Sequence, residues 1–487
     1  MMDSRLNSLR DAFSGRLLTA DNEMSEFLTD YRGRWHGRAL AVAQPDTTQD
    51  VASVLRWSNT HRVPVVPQGG NTGLSGGSVP DGSGDAIVLS LQRLNRIRAL
   101  DPFSNTLVVE AGVTLLAVQE AARDAGRLFP LSLAAEGSCT IGGNLATNAG
   151  GVQVLRYGNA RDLCLGLEVV TQDGEIWNGL RALRKDNTGY DLRDLFIGAE
   201  GTLGVITAAV LKLSPLPAAR VVALTALPSP DAALRLLSLA QGRAGDALSA
   251  FELLSDLCID LVERHVPGTR QPFDTAYPWY ALLELSDAGS EAHALDTLQA
   301  LLAEAIENGD VADAVVATSL SQFDALWALR ENISEAQATE GKNIKHDISL
   351  PISRIPAFIE YTGHAIAQSF PDARLVVFGH LGDGNLHYNA SPAVNRLGSE
   401  HEQAFMALEG RLNRLVHDAV HAFDGSLSAE HGLGVLRRDE AARYKEPVEL
   451  RMMRAIKQAL DPLNLMNPAK VLNMDSPLAS AHQHEQI

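Results

Sequence analysis

The chain has 487 residues, too many for a single core, so two or three domains are expected. With 45% hydrophobic and 21% charged residues it can bury a full globular interior, which sets aside disordered and fibrous classes. A net charge of −18 leaves no basic field to displace counterions, so nucleic acid is excluded as a partner, while a few local Arg and Lys can still hold a small anion.

Residues 1–37 form an N-terminal segment, polar and expected to be helical as far as Tyr31. Its start lacks the apolar core of a secretory leader. From Ala41 the pattern runs strand, helix, strand. Ala41–Pro45 is extended, Asp50–Ser58 is helical by the spacing of Val51, Val54 and Leu55, and Val63–Pro67 is a strand entering a glycine loop. Ala86–Ser90 and Thr106–Glu110 are strands by their apolar, β-branched content, and 115–126 is a helix. Leu165–Thr171 and Gly204–Leu213 close a first domain, 38–215, as strands. Near Pro215-Leu-Pro217 the texture changes. Helices over 230–242 and 290–308 alternate with the apolar runs Val222–Ala226, Tyr280–Glu284 and Leu375–Phe378. This predicts an α+β domain over 216–440, an antiparallel sheet covered by helices. Residues 441–460 read as a helix, and 441–487 as a C-terminal segment with a polar tail from Asp475. No run of ~18 apolar residues is present, so no membrane span is expected. Cys139, Cys164 and Cys258 show no CxxC spacing and one at least is unpaired, which predicts a reducing, cytoplasmic location.

Two glycine-rich loops stand out in the first domain, Pro67-Gln-Gly-Gly-Asn-Thr-Gly-Leu-Ser-Gly-Gly77 and Glu136–Gly151. Glycines let a backbone approach a ligand, and successive amides can cradle an anionic oxygen. Neither loop is a P-loop or a GxGxxG fingerprint. Each alone reads equally well as a tight surface turn. Together with Gly198-Ala-Glu-Gly-Thr-Leu-Gly204 they favour a large phosphate-bearing cofactor.

The second domain holds Phe378-Gly-His-Leu-Gly-Asp-Gly-Asn-Leu-His-Tyr-Asn389 and, later, Ser428-Ala-Glu-His-Gly-Leu-Gly434. Two strands joined by Leu381–Gly384 would bring His380 and His387 together. Glu430 would complete a two-His, one-carboxylate site with open positions. On the residues alone the histidines are equally readable as hydrogen-bonded core groups. Asn389 shares a strand face with His387 and could donate to a substrate carboxylate. Arg330 and Ser334, four apart on one helix face, with Lys345, could grip a second carboxylate. By spacing alone, a solvated surface Arg is the commoner outcome.

The loops and the C-terminal Asn467-Pro-Ala-Lys470 resemble the FAD-binding oxidoreductases of the vanillyl-alcohol oxidase, or PCMH, type, from about residue 38 to 472. Arg184–Leu192 is similar to the branch of D-2-hydroxyglutarate dehydrogenases, beside D-lactate dehydrogenases and the glycolate oxidase large subunit. The resemblance implies a two-subdomain FAD domain, a cap domain and a C-terminal segment returning to the FAD domain. It implies flavin contacts at Pro67, Gly69, Gly70, Asn71, Thr72, Gly73 and Ser75, at Gly137, Ser138, Gly142, Gly143, Asn144, Thr147 and Asn148, and at Gly201, Gly204, Ile206 and Asn467. The first loop has no histidine to tether the flavin, so the FAD is expected to be non-covalent. The resemblance also implies zinc or a similar ion on His380, His387 and Glu430. It implies a distal carboxylate on Arg330, Ser334 and Lys345, with Ser334 standing where Thr is usual. His431, beside a ligand, is then the candidate base and a substrate contact.

The expected reaction is oxidation of D-2-hydroxyglutarate to 2-oxoglutarate, with hydride passing from C2 to flavin N5. The same chemistry on D-malate, D-lactate or glycolate remains open, as do a non-catalytic electron-transfer subunit and a purely structural metal site. Without an NAD fingerprint, electrons would leave to an electron-transfer flavoprotein, a quinone or a cytochrome. A homodimer is compatible with this reading.

Overall fold

The computed structural model describes residues 4–393 and 399–474, so the expected polar tail from Asp475 lies outside the described residues. The chain folds into two compact units. One joins Met1–Ala149, Asn159–Pro215 and Glu430–Ile487, and the other joins Gly150–Gly158 and Leu216–Ala429. The break at Pro215 falls where the sequence changes texture.

In the first unit, β1 (Arg16–Leu18), β2 (Ala41–Gln44), β3 (Val65–Gln68) and β4 (Ile87–Ser90) form a sheet in the order β1-β2-β4-β3. β4 pairs in parallel with both β2 and β3, so a crossover must link β2 to β3. Helix Thr48–His61 supplies it. Thr47 caps its start by accepting from the Asp50 N–H at 3.1 Å, and Val51, Val54 and Leu55 bury against the sheet. Residues 1–31 are not one helix. Ser4–Ala12 is helical, but Gly15 passes so close to β2 that a Cβ there would meet Gln44 O at 2.4 Å. The chain therefore turns and pairs as β1 before the short helix Asp21–Met24.

A second, antiparallel sheet contains β5 (Ile97–Asp101), β6 (Thr106–Glu110), β8 (Cys164–Val170), β9 (Ile176–Gly179) and β10 (Val205–Lys212) in the order β5-β6-β10-β8-β9. The short β7 (Arg127–Leu128) pairs with β11 (Ser214–Pro215). The C-terminal segment returns to this unit. Met466 bridges to Val65 in parallel and is fully buried in the first sheet's core. The helix expected over 441–460 is two, Arg438–Tyr444 and Pro447–Leu460. Pro447 starts the second, and it forces Glu446 out of the helical region, to ψ 140°.

In the second unit, β12 (Ala219–Leu227), β13 (Leu248–Ser255), β14 (Trp279–Asp287), β15 (Asp313–Val316), β16 (Asp347–Ser349), β17 (Ala373–His380) and β18 (Asn385–Pro392) form one antiparallel sheet ordered β15-β12-β14-β13-β17-β18-β16. Along β12, Val221, Ala223 and Leu227 enter a core with helices Pro230–Ala244 and Glu291–Glu307. Val222, Leu224 and Ala226 enter another with helices Asp256–His265 and Leu320–Glu331. Both faces are covered, which is why these strands read as continuous apolar runs rather than alternating ones.

Two segments fall outside the boundaries expected from sequence. Gly150–Gly158 belongs to the second unit, where Leu155 packs so tightly on the β17–β18 turn that a Cβ on Gly382 would meet it at 2.7 Å. Residues 430–440 belong to the first, tied there by the Val435 N–H to Ser75 O at 2.9 Å.

Candidate active site

The two glycine loops line one cleft in the first unit, of about 920 Å³ counted out to its open mouth. Pro67, Gly69, Gly70, Asn71, Thr72, Gly73 and Ser75 form one wall, and Gly142, Gly143, Asn144 and Thr147 another. Gly201, Gly204 and Ile206 form a third, with Phe196 beside them. The loops meet backbone to backbone. A Cβ on Gly70 would lie 1.9 Å from Ser138 O, so only glycine permits the approach. Asn71 holds the first loop's shape at φ +55°, donating to Thr29 O at 2.8 Å and accepting from Ser78 Oγ at 2.8 Å. Gly137, Ser138, Asn148 and Asn467 do not line the cleft. Asn148 Oδ1 accepts from the Arg161 N–H at 3.0 Å. Asn467 braces the walls, donating to Gly77 O at 2.9 Å and Glu200 O at 2.8 Å.

The lining suits a large polar cofactor. Thr140 Oγ1 and Gln68 Oε1 are buried on residues of this cleft and have no hydrogen-bond partner within the protein. Such groups are costly unless a ligand meets them. Glycine backbone beside them gives the close approach that a pyrophosphate needs.

Sequence reading passed over Thr140, Gln68 and Glu200, all of which line this cleft. Glu200, at φ +51°, accepts from the Leu433 N–H at 2.7 Å and the Gly434 N–H at 2.9 Å. Burial pushes its carboxyl up to about 7, against the pull of those two bonds and the Lys470 charge. The segment it grips carries His431, which lines the same cleft and whose carbonyl accepts from Ser75 Oγ at 3.0 Å. The candidate base therefore sits in the wall of the cleft between the glycine loops.

In the second unit the hairpin forms as expected. His380 ends β17, His387 lies on β18, and their ring centroids are 6.0 Å apart. His380 Nδ1 bonds Glu252 Oε1 at 2.6 Å, a carboxylate–histidine pair of the kind that orients metal ligands. His387 packs on Phe378 and pairs across the ladder with Asp347 of β16. The Ala429 N–H donates to Asp347 O at 3.2 Å, so the residue just before Glu430 is held to the strand beside His387. Two imidazoles, one oriented by a buried carboxylate, suit a zinc-like ion.

Arg330 and Ser334 do not share one helix. Arg330 is in the last turn of Leu320–Glu331, and Ser334, exposed, is in the next helix, Ile333–Thr339. The break comes at Asn332, whose amide turns back to Ala328 O at 2.8 Å. Arg330 is not the solvated surface residue that spacing favoured. It is 7% exposed, its guanidinium lies 4.9 Å from the Phe378 ring centroid, and its Nε donates to Glu252 Oε2 at 2.6 Å. Lys345, half-buried, precedes β16. Asn389 is buried, its Oδ1 accepting from the His346 N–H at 3.2 Å and its amide donating to Gln337 Oε1 at 3.0 Å.

Glu252 is the main residue that sequence reading missed. A signal existed: it is the one acid in Leu248-Ser-Ala-Phe-Glu-Leu-Leu-Ser255, and a charge inside a strand covered on both faces must be paired. Burial would push its carboxyl up. Hydrogen bonds from His380 and Arg330, together with the charge of Arg330, overturn that and hold it below the usual carboxylate range.

Among known families, residues 39–179 match a model described as "FAD binding domain" and residues 216–471 one described as "FAD linked oxidases, C-terminal domain". The chain is 41% identical to a D-2-hydroxyglutarate dehydrogenase of Xanthomonas citri pv. viticola, over 98% of this chain and 99% of that one. It is 40% identical to the mitochondrial D-2-hydroxyglutarate dehydrogenase of Bos taurus, over 96% and 83%. Its fold is similar to an alkyldihydroxyacetonephosphate synthase, at TM-score 0.74 and 15% identity, covering 96% of this chain and 85% of that one. It is also similar to a p-cresol methylhydroxylase, at TM-score 0.74 and 14% identity, covering 98% of each. The chain therefore belongs to the FAD-linked oxidase family, a class of flavin-dependent oxidoreductases.

Proposed function

We propose that this enzyme oxidises D-2-hydroxyglutarate to 2-oxoglutarate with non-covalent FAD and a divalent ion, zinc, held by His380, His387 and Glu430. The observation that carries the reading is His431 in the wall of the flavin cleft, where a base acting on a hydroxyl next to a flavin must stand. Relatives with the D-2-hydroxyglutarate dehydrogenase name, alike over nearly the whole chain, support the choice of acid. When bound, FAD supplies a two-electron acceptor and zinc lowers the pKa of a coordinated hydroxyl. The chain's residues do the rest. Arg330, Ser334 and Lys345 bind the far carboxylate and so set the distance from that end to C2. Asn389 donates to the near carboxylate, and His431 takes the hydroxyl proton at its imidazole nitrogen.

Electrons then leave to a separate acceptor, an electron-transfer flavoprotein or a quinone. All three cysteines are free thiols, which fits a reducing cytoplasm. Among the described residues no helix is long and apolar enough to cross a membrane. The test is anaerobic flavin bleaching. D-2-hydroxyglutarate should bleach the purified yellow protein fastest, ahead of D-malate, with D-lactate and glycolate slow. Equal rates with D-lactate would refute the choice of substrate.

A further inference from the structure

Glu252 accepts from two side chains, and each belongs to a different half of the proposed chemistry. Its side chain is fully buried on β13, the strand beside β17. Oε1 accepts from His380 Nδ1 and Oε2 from Arg330 Nε, both at 2.6 Å. On the histidine side, this bond selects the Nδ1–H tautomer, in which Nε2 carries the lone pair that a metal ligand needs. On the arginine side, it spends Nε and directs the two Nη groups as the donors for a substrate carboxylate. Phe378 fixes the assembly from beneath. The guanidinium carbon is 4.9 Å from its ring centroid, and the His387 ring is 4.8 Å from it.

We infer that Glu252 is a shared positioning residue, orienting His380 for the metal and Arg330 for the distal carboxylate, so that metal affinity and the preference for a hydroxydiacid depend on one carboxylate. The inference rests on the proposed function above. Its chemistry is specific to a carboxylate. A glutamine at 252 has one acceptor oxygen for two N–H donors, and its amide hydrogens oppose whichever donor the oxygen does not take. Glu252→Gln therefore removes the negative charge from both hydrogen bonds and leaves one of the two donors opposed, whereas a change at Arg330 alone leaves the His380 contact in place.

The experiment uses the flavin-loaded full chain. Zinc affinity is read by competition with a chromogenic chelator, and KM for D-2-hydroxyglutarate and for D-lactate at saturating zinc. Glu252→Gln is expected to weaken zinc by about 10–100-fold, the usual effect of removing a ligand's hydrogen-bond partner. It is also expected to raise KM for the diacid by a larger factor than for the monoacid. Arg330→Met should raise KM for the diacid while zinc affinity stays within about threefold of the parent, because Glu252 still orients His380. A flavin-loaded Glu252→Gln protein with parental zinc affinity overturns the inference and leaves the proposed function standing. So does a KM that rises equally for both acids. A parent protein that takes up no zinc overturns both. Should Glu252→Gln fail to retain flavin, the parent decides by itself. A long-range 1H–15N histidine spectrum of the zinc-loaded protein, assigned with His380→Ala, should show His380 protonated at Nδ1. Protonation at Nε2 overturns the inference.

Discussion

Replacing Gly70 by alanine tests how the flavin cleft is built, and Gly73 is its internal control. The new Cβ at 70 would lie 1.9 Å from Ser138 O, 2.9 Å from Ser138 C and 3.1 Å from Cys139 Cα. A carbon and a carbonyl oxygen rest at about 3.3 Å, so one loop must retreat by roughly 1.4 Å. All three atoms are backbone, and no rotamer change relieves them. Overpacking of this kind costs about 1–3 kcal/mol, and the lack of side-chain escape puts this case near the upper end. At Gly73 a Cβ meets nothing within 4 Å, and its φ is not positive, so the apoprotein should change by less than about 0.5 kcal/mol. Gly73 nevertheless lines the cleft, so the methyl is added to a residue that a bound ligand would meet. Chemical denaturation of the flavin-free protein reads the first effect, and titration with FAD by fluorescence quenching reads the second. Gly70→Ala should lower apoprotein stability and also weaken FAD, while Gly73→Ala should weaken FAD by about tenfold, or ~1.4 kcal/mol, with stability intact. An unchanged apoprotein in Gly70→Ala would show that the loops do not abut. Parental FAD affinity in both variants would show that the first loop does not hold the flavin.

Two further outcomes follow from the same unit. His431→Asn should retain bound FAD but slow substrate-dependent flavin reduction by ~10²-fold or more, and near-parental stopped-flow rates would remove His431 from the role of base. Glu200, raised from 4.5 to about 7, keeps its proton in the folded state over a range where the unfolded chain has lost it. Its contribution to stability is therefore full below about pH 4.5 and declines as pH rises towards 7. In Glu200→Gln this decline should vanish from the apoprotein's denaturation midpoints, and an unchanged pH profile would count against the buried-acid assignment.

Much of the site was legible because its parts are local. Gly70 and Gly73 stand out as glycines in a run, and His380 and His387 as histidines astride a tight turn. Strand pairing then brings the latter together, since a hairpin closes over a few residues. The i, i+4 spacing of Arg330 and Ser334 carries no sign that two helices meet between them. The break falls at Asn332, whose side-chain amide adds a second donor to Ala328 O beside its own backbone N–H. The apolar runs of the second unit, alternating with helices, pointed to an antiparallel sheet, as found, but left its strand order open. Their partners are distant in sequence, and pairing is a property of the assembled sheet.

The amino-acid order by itself determined the types of the longer elements after Ala41, the break at Pro215, the two glycine loops, and the residue kinds able to hold a flavin and a metal. These follow from backbone freedom, hydrophobic periodicity and side-chain chemistry, which act over a few residues. Only the tertiary structure decided that Glu252 joins Arg330 to His380, residues 78 and 128 positions away, or that Glu200 grips the segment bearing His431 from more than 230 positions away. A buried carboxylate takes its meaning from the donors that replace its water, and those donors are chosen by packing, which no local pattern records.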